Sequence, residues 1–154
     1  MKNIILTCIV FVLLVFSTGT WAEVAKSNNP HNLSISSLRH LLDCIWDQES
    51  SKQLNPKDGD NGKARGPYQI WESYWKDAVD FDPSIGGKYD DVRKKDYAEK
   101  IVLAYFQRYT KNFKSKPTNE QLARIHNGGP TGYKKKATLK YWKSKKFDPV
   151  RKGQ

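Results

Sequence analysis

The stretch WDQESSKQLNPKDGDNGKARGPYQIW, Trp46 to Trp71, changes character twice along its length. It begins at the end of a segment with apolar residues at helical spacing, passes through a loop rich in Gly, Pro, Asn and Asp, and ends in a short β-prone run. Glu49 stands where the helix meets the loop, and Asp58 and Asp60 follow inside the loop. The stretch therefore predicts a helix that delivers one carboxylate into a polar loop carrying two more, beside one side of a small hairpin.

Helical spacing also marks the segments on either side of this stretch. Apolar residues recur up to Ile45 behind a candidate N-cap at Ser34, which predicts a helix ending near Glu49. The segment ESYWKDA is predicted to begin a second helix, and about twenty residues from Asp90 onward should form the longest one. Thr118 with Gln121 forms a capping box for a short helix.

The last helical pattern places Ala137, Tyr141 and Trp142 on one side of the chain. Aromatic pairs at helical spacing usually pack inward, so Tyr74-Trp75 and Tyr141-Trp142 are predicted to lie in the core. Four or five helices with one small β element indicate an α+β fold in which helices dominate.

Residues 1–22 read as a secretory signal peptide, because one lysine precedes a short apolar run that ends in small residues. The polar residues 23–33 should then form a flexible N-terminal arm, and residues 34–154 one folded domain. We therefore expect a secreted protein, with the lysosome as the alternative location, that is a monomer and has no stable membrane insertion.

The charge of the chain predicts an anionic partner. Cleavage after Ala22 would leave 26 Lys and Arg against 16 Asp and Glu, a formal charge of +10, with the lysines concentrated in the last third. Such a charge inside a cell would point to nucleic acid, but a secreted chain meets bacterial walls, anionic glycans and membrane surfaces instead. A bacterial wall, another anionic glycan or a membrane surface is accordingly the expected partner, and nucleic acid is not.

Most common catalytic motifs are missing from the sequence. It has no Cys/His spacing for zinc, no Gly-rich phosphate loop and no G-x-S-x-G elbow. The nearest calcium pattern starts at Asp58, but its twelfth position is Gln69 in place of a bidentate acid. We therefore expect neither a metal nor another cofactor.

The remaining candidates for chemistry are carboxylates. Cleaving a glycosidic bond requires a protonated acid and a second group that stabilises or attacks the oxocarbenium-like centre. Glu49, at the end of an amphipathic helix near Trp46, should be partly desolvated, which raises a carboxyl pKa, whereas Asp60 lies in an open polar loop and should stay ionised. A glutamate near a helix end is, however, most often just a solvated side chain.

Several motifs in order make the chain resemble the invertebrate-type lysozymes, also called destabilases, over roughly residues 40–145. That family carries C-I-C-x-x-E-S-G, then D-x-G, a G-P-Y-Q-I-like block, a Y-W pair and H-N-G-G-P-x-G. The matching positions here are Cys44-Ile45, Glu49-Ser50, Asp60, Gly62, Gly66 to Ile70, Tyr74-Trp75 and His126 to Pro130.

The resemblance implies a lysozyme-like fold with a cleft between a helical lobe and a small β-hairpin. It further implies a muramidase that cuts the β-1,4 bond between N-acetylmuramic acid and N-acetylglucosamine, with Glu49 as general acid and Asp60 as second carboxylate. Tyr68, Gln69, His126 and Asn127 would then contact the bound sugar, to serve an antibacterial or digestive role.

This chain departs from the family pattern in its cysteines and in one loop. Trp46 and Arg65 replace family cysteines, and Cys44, left without a partner once the signal peptide is removed, is predicted to be a small buried hydrophobe. The loop after Asp60 is one residue short, which leaves Asp58 as an alternative second carboxylate.

The competing functions are a lytic transglycosylase using the same Glu49 and a non-catalytic cationic antimicrobial or glycan-binding protein.

Overall fold

α-Helices dominate the protein, and the computed structural model describes residues 30–153. Within this range the helices are α1 Arg39–Ser50, α2 Glu72–Phe81, α3 Lys95–Thr110, α4 Asn119–Gly128, α5 Leu139–Trp142 and α6 Asp148–Arg151. Two short strands, β1 Ala64–Arg65 and β2 Ile70–Trp71, form one antiparallel sheet. The predicted helix-dominated α+β class is confirmed. No helix within residues 30–153 is both long enough and apolar enough to cross a bilayer.

Helix α1 starts later than the sequence predicts. Ser34 Oγ accepts a hydrogen bond from the Ser37 backbone N–H at 3.1 Å, so Ser34 caps a turn that precedes the helix. The helix begins at Arg39 and buries Leu41, Leu42, Cys44 and Ile45 against the other helices. Cys44 is a free, buried thiol, as predicted.

The predicted hairpin is present and very short, but the run predicted as one of its sides, residues 66–71, is strand only at Ile70–Trp71, and residues 66–69 form the turn. Ala64 lies opposite Trp71 and Arg65 lies opposite Ile70. The turn between the strands needs glycine at Gly66, because its φ is +72° and a Cβ atom there would lie 2.2 Å from the carbonyl oxygen of Val92. This close approach presses the hairpin against the segment that leads into α3.

The helix predicted from Asp90 onward is divided into two parts. A 3₁₀ segment, Tyr89–Arg93, precedes α3, and Lys94 between them has an extended backbone with φ −83° and ψ 120°. The Asp91 carboxylate accepts hydrogen bonds from the Lys88 backbone N–H at 3.0 Å and from the Lys94 ammonium at 2.9 Å. These local bonds stabilise the separate 3₁₀ turn, and α3 remains the longest helix among the described residues.

The capping box at the start of α4 is confirmed. Thr118 Oγ1 accepts from the Gln121 backbone N–H at 3.2 Å, and Gln121 Oε1 accepts from the Thr118 backbone N–H at 2.8 Å. The prediction that Ala137 and Trp142 share one side of the last helix is only partly correct, because Trp142 is buried but Ala137 is exposed. Ala137 belongs to a 3₁₀ segment, Lys136–Thr138, whose geometry takes it out of the register of α5.

The structure corrects the predicted N-terminal boundary. The predicted signal peptide, residues 1–22, and residues 23–29 of the predicted arm lie outside the described residues. His31 Nε2 lies 2.9 Å from the carbonyl oxygen of Thr110, and Leu33 is only 2% exposed. The packed domain therefore includes residues 31–33, because Leu33 is apolar and fills part of the core.

A buried carboxylate, Glu99, ties α1, α3 and the hairpin turn together. Its side chain is 4% exposed and accepts hydrogen bonds from both Arg39 Nη atoms, at 2.8 and 2.6 Å, and from Tyr68 Oη at 2.8 Å. Lys95 forms an ion pair with the same carboxylate. Burial by itself would raise the pKa of Glu99, but the bonds from Arg39, Lys95 and Tyr68 together lower it to about 2.

The Glu99 cluster should make stability depend on pH in the acid range. The folded-state pKa of about 2 lies below the ordinary value of 4.5, so the stabilisation is complete above pH 4.5 and is lost as pH falls toward 2. Glu99→Gln should lower the free energy of unfolding by about 3 kcal/mol at pH 6. This difference, measured by urea denaturation, should shrink between pH 4.5 and 2, while the exposed control Glu72→Gln should show little change at any pH. A Glu99→Gln deficit that stays constant from pH 6 to pH 2 would contradict this.

Candidate active site

A cavity of about 410 Å³ lies between the end of α1, the hairpin, α2 and α4. Helix α1 delivers one carboxylate to its wall, and the loop before β1 delivers another. The side chains that line it include those of Glu49, Asp60, Gln69, Trp71, His126 and Asn127. The structure thus brings together five of the six residues that the sequence proposed for the site and adds Trp71.

Glu49 occupies the last turn of α1, and its side chain is 20% exposed. Burial raises the pKa of its carboxyl group to about 7. The hydroxyl of Tyr141 donates to Glu49 Oε1 at 2.7 Å, which acts in the opposite direction, and the negative charge of Asp60 raises the pKa further. Glu49 is therefore protonated in a large fraction of molecules at neutral pH.

Asp60 lies on the wall formed by the loop before β1. Its backbone and that of Asn61 are left-handed, with φ of 47° and 56°, a conformation that Asp and Asn tolerate better than most residues. The indole N–H of Trp71 donates to Asp60 Oδ2 at 3.1 Å. This bond ties the loop to the end of β2 and holds the carboxylate at the cavity.

Asp58, the alternative second carboxylate, is bound elsewhere. Its two carboxylate oxygens accept hydrogen bonds from Arg93 at 2.6 and 2.7 Å, and these bonds lower the Asp58 pKa. Asp58 does not line the cavity. Of the two aspartates, Asp60 is the one placed near Glu49.

Among residues 30–153 no group of three or more His, Cys, Asp or Glu side chains is arranged to hold a metal ion.

His126 lies next to Glu49, on the buried side of the cavity and among aromatic rings. Its side chain is 4% exposed, and burial lowers its pKa to about 4, so the imidazole is neutral near pH 7. Nδ1 shares a hydrogen bond with the hydroxyl of Tyr74 at 3.2 Å, and the ring of Tyr74 stacks on Tyr105 with centroids 3.5 Å apart. Nε2 lies 3.6 Å from Glu49 Oε1, too far for a normal hydrogen bond. His126 supports the wall around Glu49 and adds no charge there.

The prediction that Tyr68 contacts bound sugar is wrong. Tyr68 is fully buried, and its hydroxyl is taken by Glu99. Its neighbour Gln69 does line the cavity, and Gln69 Nε2 donates to the carbonyl oxygens of Gly66 at 3.0 Å and Lys57 at 3.3 Å. The turn therefore sends Tyr68 into the core and Gln69 to the cavity, because a buried carboxylate is available to satisfy the Tyr68 hydroxyl.

Two side chains of the site were not recognised in the sequence. Trp71 is 43% exposed and lines the cavity, and the period-2 alternation with buried Ile70 contains the signal for its outward orientation. Tyr141 was predicted as a core residue, and although it is largely enclosed, its hydroxyl reaches Glu49. Nothing in the local pattern indicates that contact, because the two residues are far apart in the chain.

A desolvated acid, a second carboxylate and an exposed aromatic face around one polar cavity form the arrangement of a glycoside hydrolase. The acid can donate a proton, the carboxylate can stabilise positive charge, and an indole face can pack against a sugar ring. The helical lobe and the short hairpin bracket this cavity, as in a lysozyme-like fold.

Comparison with known proteins agrees with this class. The destabilase family model matches residues 39–147. Invertebrate-type lysozyme 6 of Caenorhabditis elegans is 36% identical over 109 residues, which cover 66% of this chain and 79% of that protein. A lysozyme of Ostrea edulis is 34% identical over 107 residues, covering 68% and 76%. The crystal structure of Tapes japonica lysozyme matches with a TM-score of 0.57 at 30% identity, covering 68% of this chain and 84% of that one.

The chain therefore belongs to the destabilase family, and the resemblance found in its motifs is confirmed. Its enzymatic class is that of the lysozymes, which are glycosidases. The shared region contains both Glu49 and Asp60 and every element that surrounds the cavity.

The bond from Tyr141 should control the proton affinity of Glu49. Removing it with Tyr141→Phe takes away a donor that favours the charged carboxylate, so the pKa of Glu49 should rise above its value of about 7. The carboxyl ¹³C shift of Glu49, followed by NMR across a pH titration, measures this directly. Tyr133→Phe is the matched control. The Tyr133 hydroxyl forms no hydrogen bond within residues 30–153, and Tyr133 does not line the cavity. An unchanged midpoint in Tyr141→Phe would show that the contact is not maintained in solution.

Proposed function

We propose that this protein is a muramidase that hydrolyses the β-1,4 bond between N-acetylmuramic acid and N-acetylglucosamine in bacterial peptidoglycan. One observation carries the proposal: a carboxyl group whose pKa is raised to about 7 by burial shares a cavity with a second carboxylate. Membership of the destabilase family and the lysozyme names of its relatives support the same reaction.

Glu49 acts as the general acid. Its proton passes to the glycosidic oxygen as the bond to the anomeric carbon breaks, so the leaving sugar departs as a neutral alcohol. An exposed glutamate would have lost this proton at pH 7, whereas burial keeps it in place. The Tyr141 hydroxyl bonds to Oε1 and can stabilise the carboxylate that remains after transfer.

Asp60 supports the positive charge that develops on the sugar ring. Held by the Trp71 indole N–H, it faces the cavity from the side of the hairpin. A water molecule or Asp60 itself then completes the displacement at the anomeric carbon. The exposed face of Trp71 offers a surface for a sugar ring, and the Asn127 amide lies where it can bond hydroxyl or acetamido groups.

The charge of the chain supports a bacterial wall as the target. The whole sequence carries a formal charge of +11, and anionic wall polymers would concentrate such a protein at their surface. The predicted signal peptide would bring the enzyme outside the cell, where it serves an antibacterial or digestive role. The proposed enzyme acts as a monomer.

Substitution of the two carboxylates tests the mechanism. Glu49→Gln keeps the shape but cannot supply the proton, so lysis of bacterial cells should fall by about three orders of magnitude. Asp60→Asn should lose about tenfold to a thousandfold, while the matched control Asp58→Asn should keep most activity, because Asp58 pairs with Arg93 away from the cavity. Full killing by Glu49→Gln would identify the protein as a non-catalytic cationic antimicrobial.

The products distinguish hydrolysis from transglycosylation. Because Asp60 accompanies Glu49 in the cavity, we expect addition of water and hence reducing ends on the muramic acid residues. Mass spectrometry of digested, borohydride-reduced peptidoglycan would show these ends as alditols. Products lighter by one water molecule, which resist reduction, would identify a lytic transglycosylase that relies on Glu49 alone.

A further inference from the structure

A second groove of about 920 Å³ adjoins the catalytic cavity. We refer to it as the lysine groove, and its polar lining side chains include those of Gln48, Asn127, Lys140, Tyr141, Lys143 and Lys145. It continues from the cavity, because Asn127 lines both, and because Tyr141 lines the groove while its hydroxyl bonds Glu49. The start of the lysine groove therefore lies beside the cavity that contains Glu49.

The charges in the lysine groove are all positive. Lys140, Lys143 and Lys145 are exposed, and none of them forms an ion pair with another residue between 30 and 153. No Asp or Glu among residues 30–153 lines the groove. The adjacent Lys146 behaves differently, since it pairs with Asp47 at 2.8 Å. Three unpaired ammonium groups around one concave surface favour an anionic ligand.

We propose that the lysine groove binds carboxylates of the peptide attached to muramic acid, so that the preferred substrate is peptide-substituted peptidoglycan. This inference rests on the proposed function. The bond cleaved at Glu49 belongs to a muramic acid ring, and the lactyl group of that ring carries the peptide. A peptide stem therefore leaves the sugar close to Glu49, where the lysine groove begins.

The other side chains of the groove suit a peptide. The amides of Gln48 and Asn127 can donate to and accept from peptide groups, and Leu139 and Ala137 give an apolar surface for alanine side chains. The free carboxylates along the stem meet the lysines as charge-assisted hydrogen bonds. Phosphates of teichoic acids share the negative charge, but they are not attached through the lactyl group that carries the peptide.

The test compares two triple variants on three substrates. The groove variant is Lys140→Gln, Lys143→Gln and Lys145→Gln, and the control is Lys100→Gln, Lys114→Gln and Lys116→Gln, which removes the same charge from exposed, unpaired lysines outside the groove. The substrates, all free of teichoic acid, are peptidoglycan with free stem carboxylates, the same material with those carboxylates amidated, and glycan strands from which an amidase has removed the peptides.

We expect the groove variant to lose about tenfold in kcat/KM on peptidoglycan with free carboxylates, because three exposed charge contacts each contribute modestly. It should match the wild type on amidated peptidoglycan and on peptide-free strands. The control variant should stay within about twofold of the wild type on all three substrates.

Three results would overturn the inference. Equal losses in both variants would mean that only total charge matters. An equal loss on peptide-free strands would mean that the groove binds the glycan strand itself, including the lactyl carboxylate that the amidase exposes. A loss that appears only on a fourth substrate, bacterial wall that retains its teichoic acids, would assign the lysines to phosphate. If the wild type cleaved none of the three substrates, that result would instead refute the proposed function. Equal circular dichroism spectra and melting temperatures would establish that both variants are folded.

Discussion

The buried carboxylate of Glu99 is the constraint on which the geometry of the site depends. A charge in the interior is costly unless it is fully paired, and Glu99 obtains its partners from three different elements. Arg39 lies at the start of α1, Lys95 at the start of α3, and Tyr68 in the hairpin turn. Satisfying one carboxylate therefore fixes the hairpin relative to both helices, in a domain whose described part contains a single free cysteine and no disulfide.

A second hydrogen bond holds the hairpin against the end of α1 that carries Glu49. Ser50 directly follows Glu49, and its Oγ donates to the carbonyl oxygen of Pro67 at 2.9 Å. The hairpin is thereby held against the last turn of the helix, so that Glu49 and Asp60 line one cavity. Glu49 and Glu99 are the same type of residue with opposite pKa shifts, because Glu99 is surrounded by cations while Glu49 faces a hydroxyl and another carboxylate.

Features that depend on neighbours in sequence were predicted well. The capping box of Thr118 and Gln121 needs only one helical turn, and the hairpin needs only the residues from Ala64 to Trp71. Predictions that depend on distant partners were less successful. Tyr68 appeared suited to a sugar groove, but Glu99 binds it inside the core, and Tyr141 appeared to be a core residue, but it reaches Glu49 from the far end of the chain.

The sequence by itself determined the helix-dominated class, the position of Glu49 at a helix end and the family motifs, because periodicity, turn residues and motif order are local properties of the chain. Only the tertiary structure placed Asp60, and not Asp58, in the cavity with Glu49, since Arg93, which binds Asp58, comes from another segment. It also decided how strongly Glu49 holds its proton and where the unpaired lysines gather. Burial and long-range charge contacts depend on which segments meet in space.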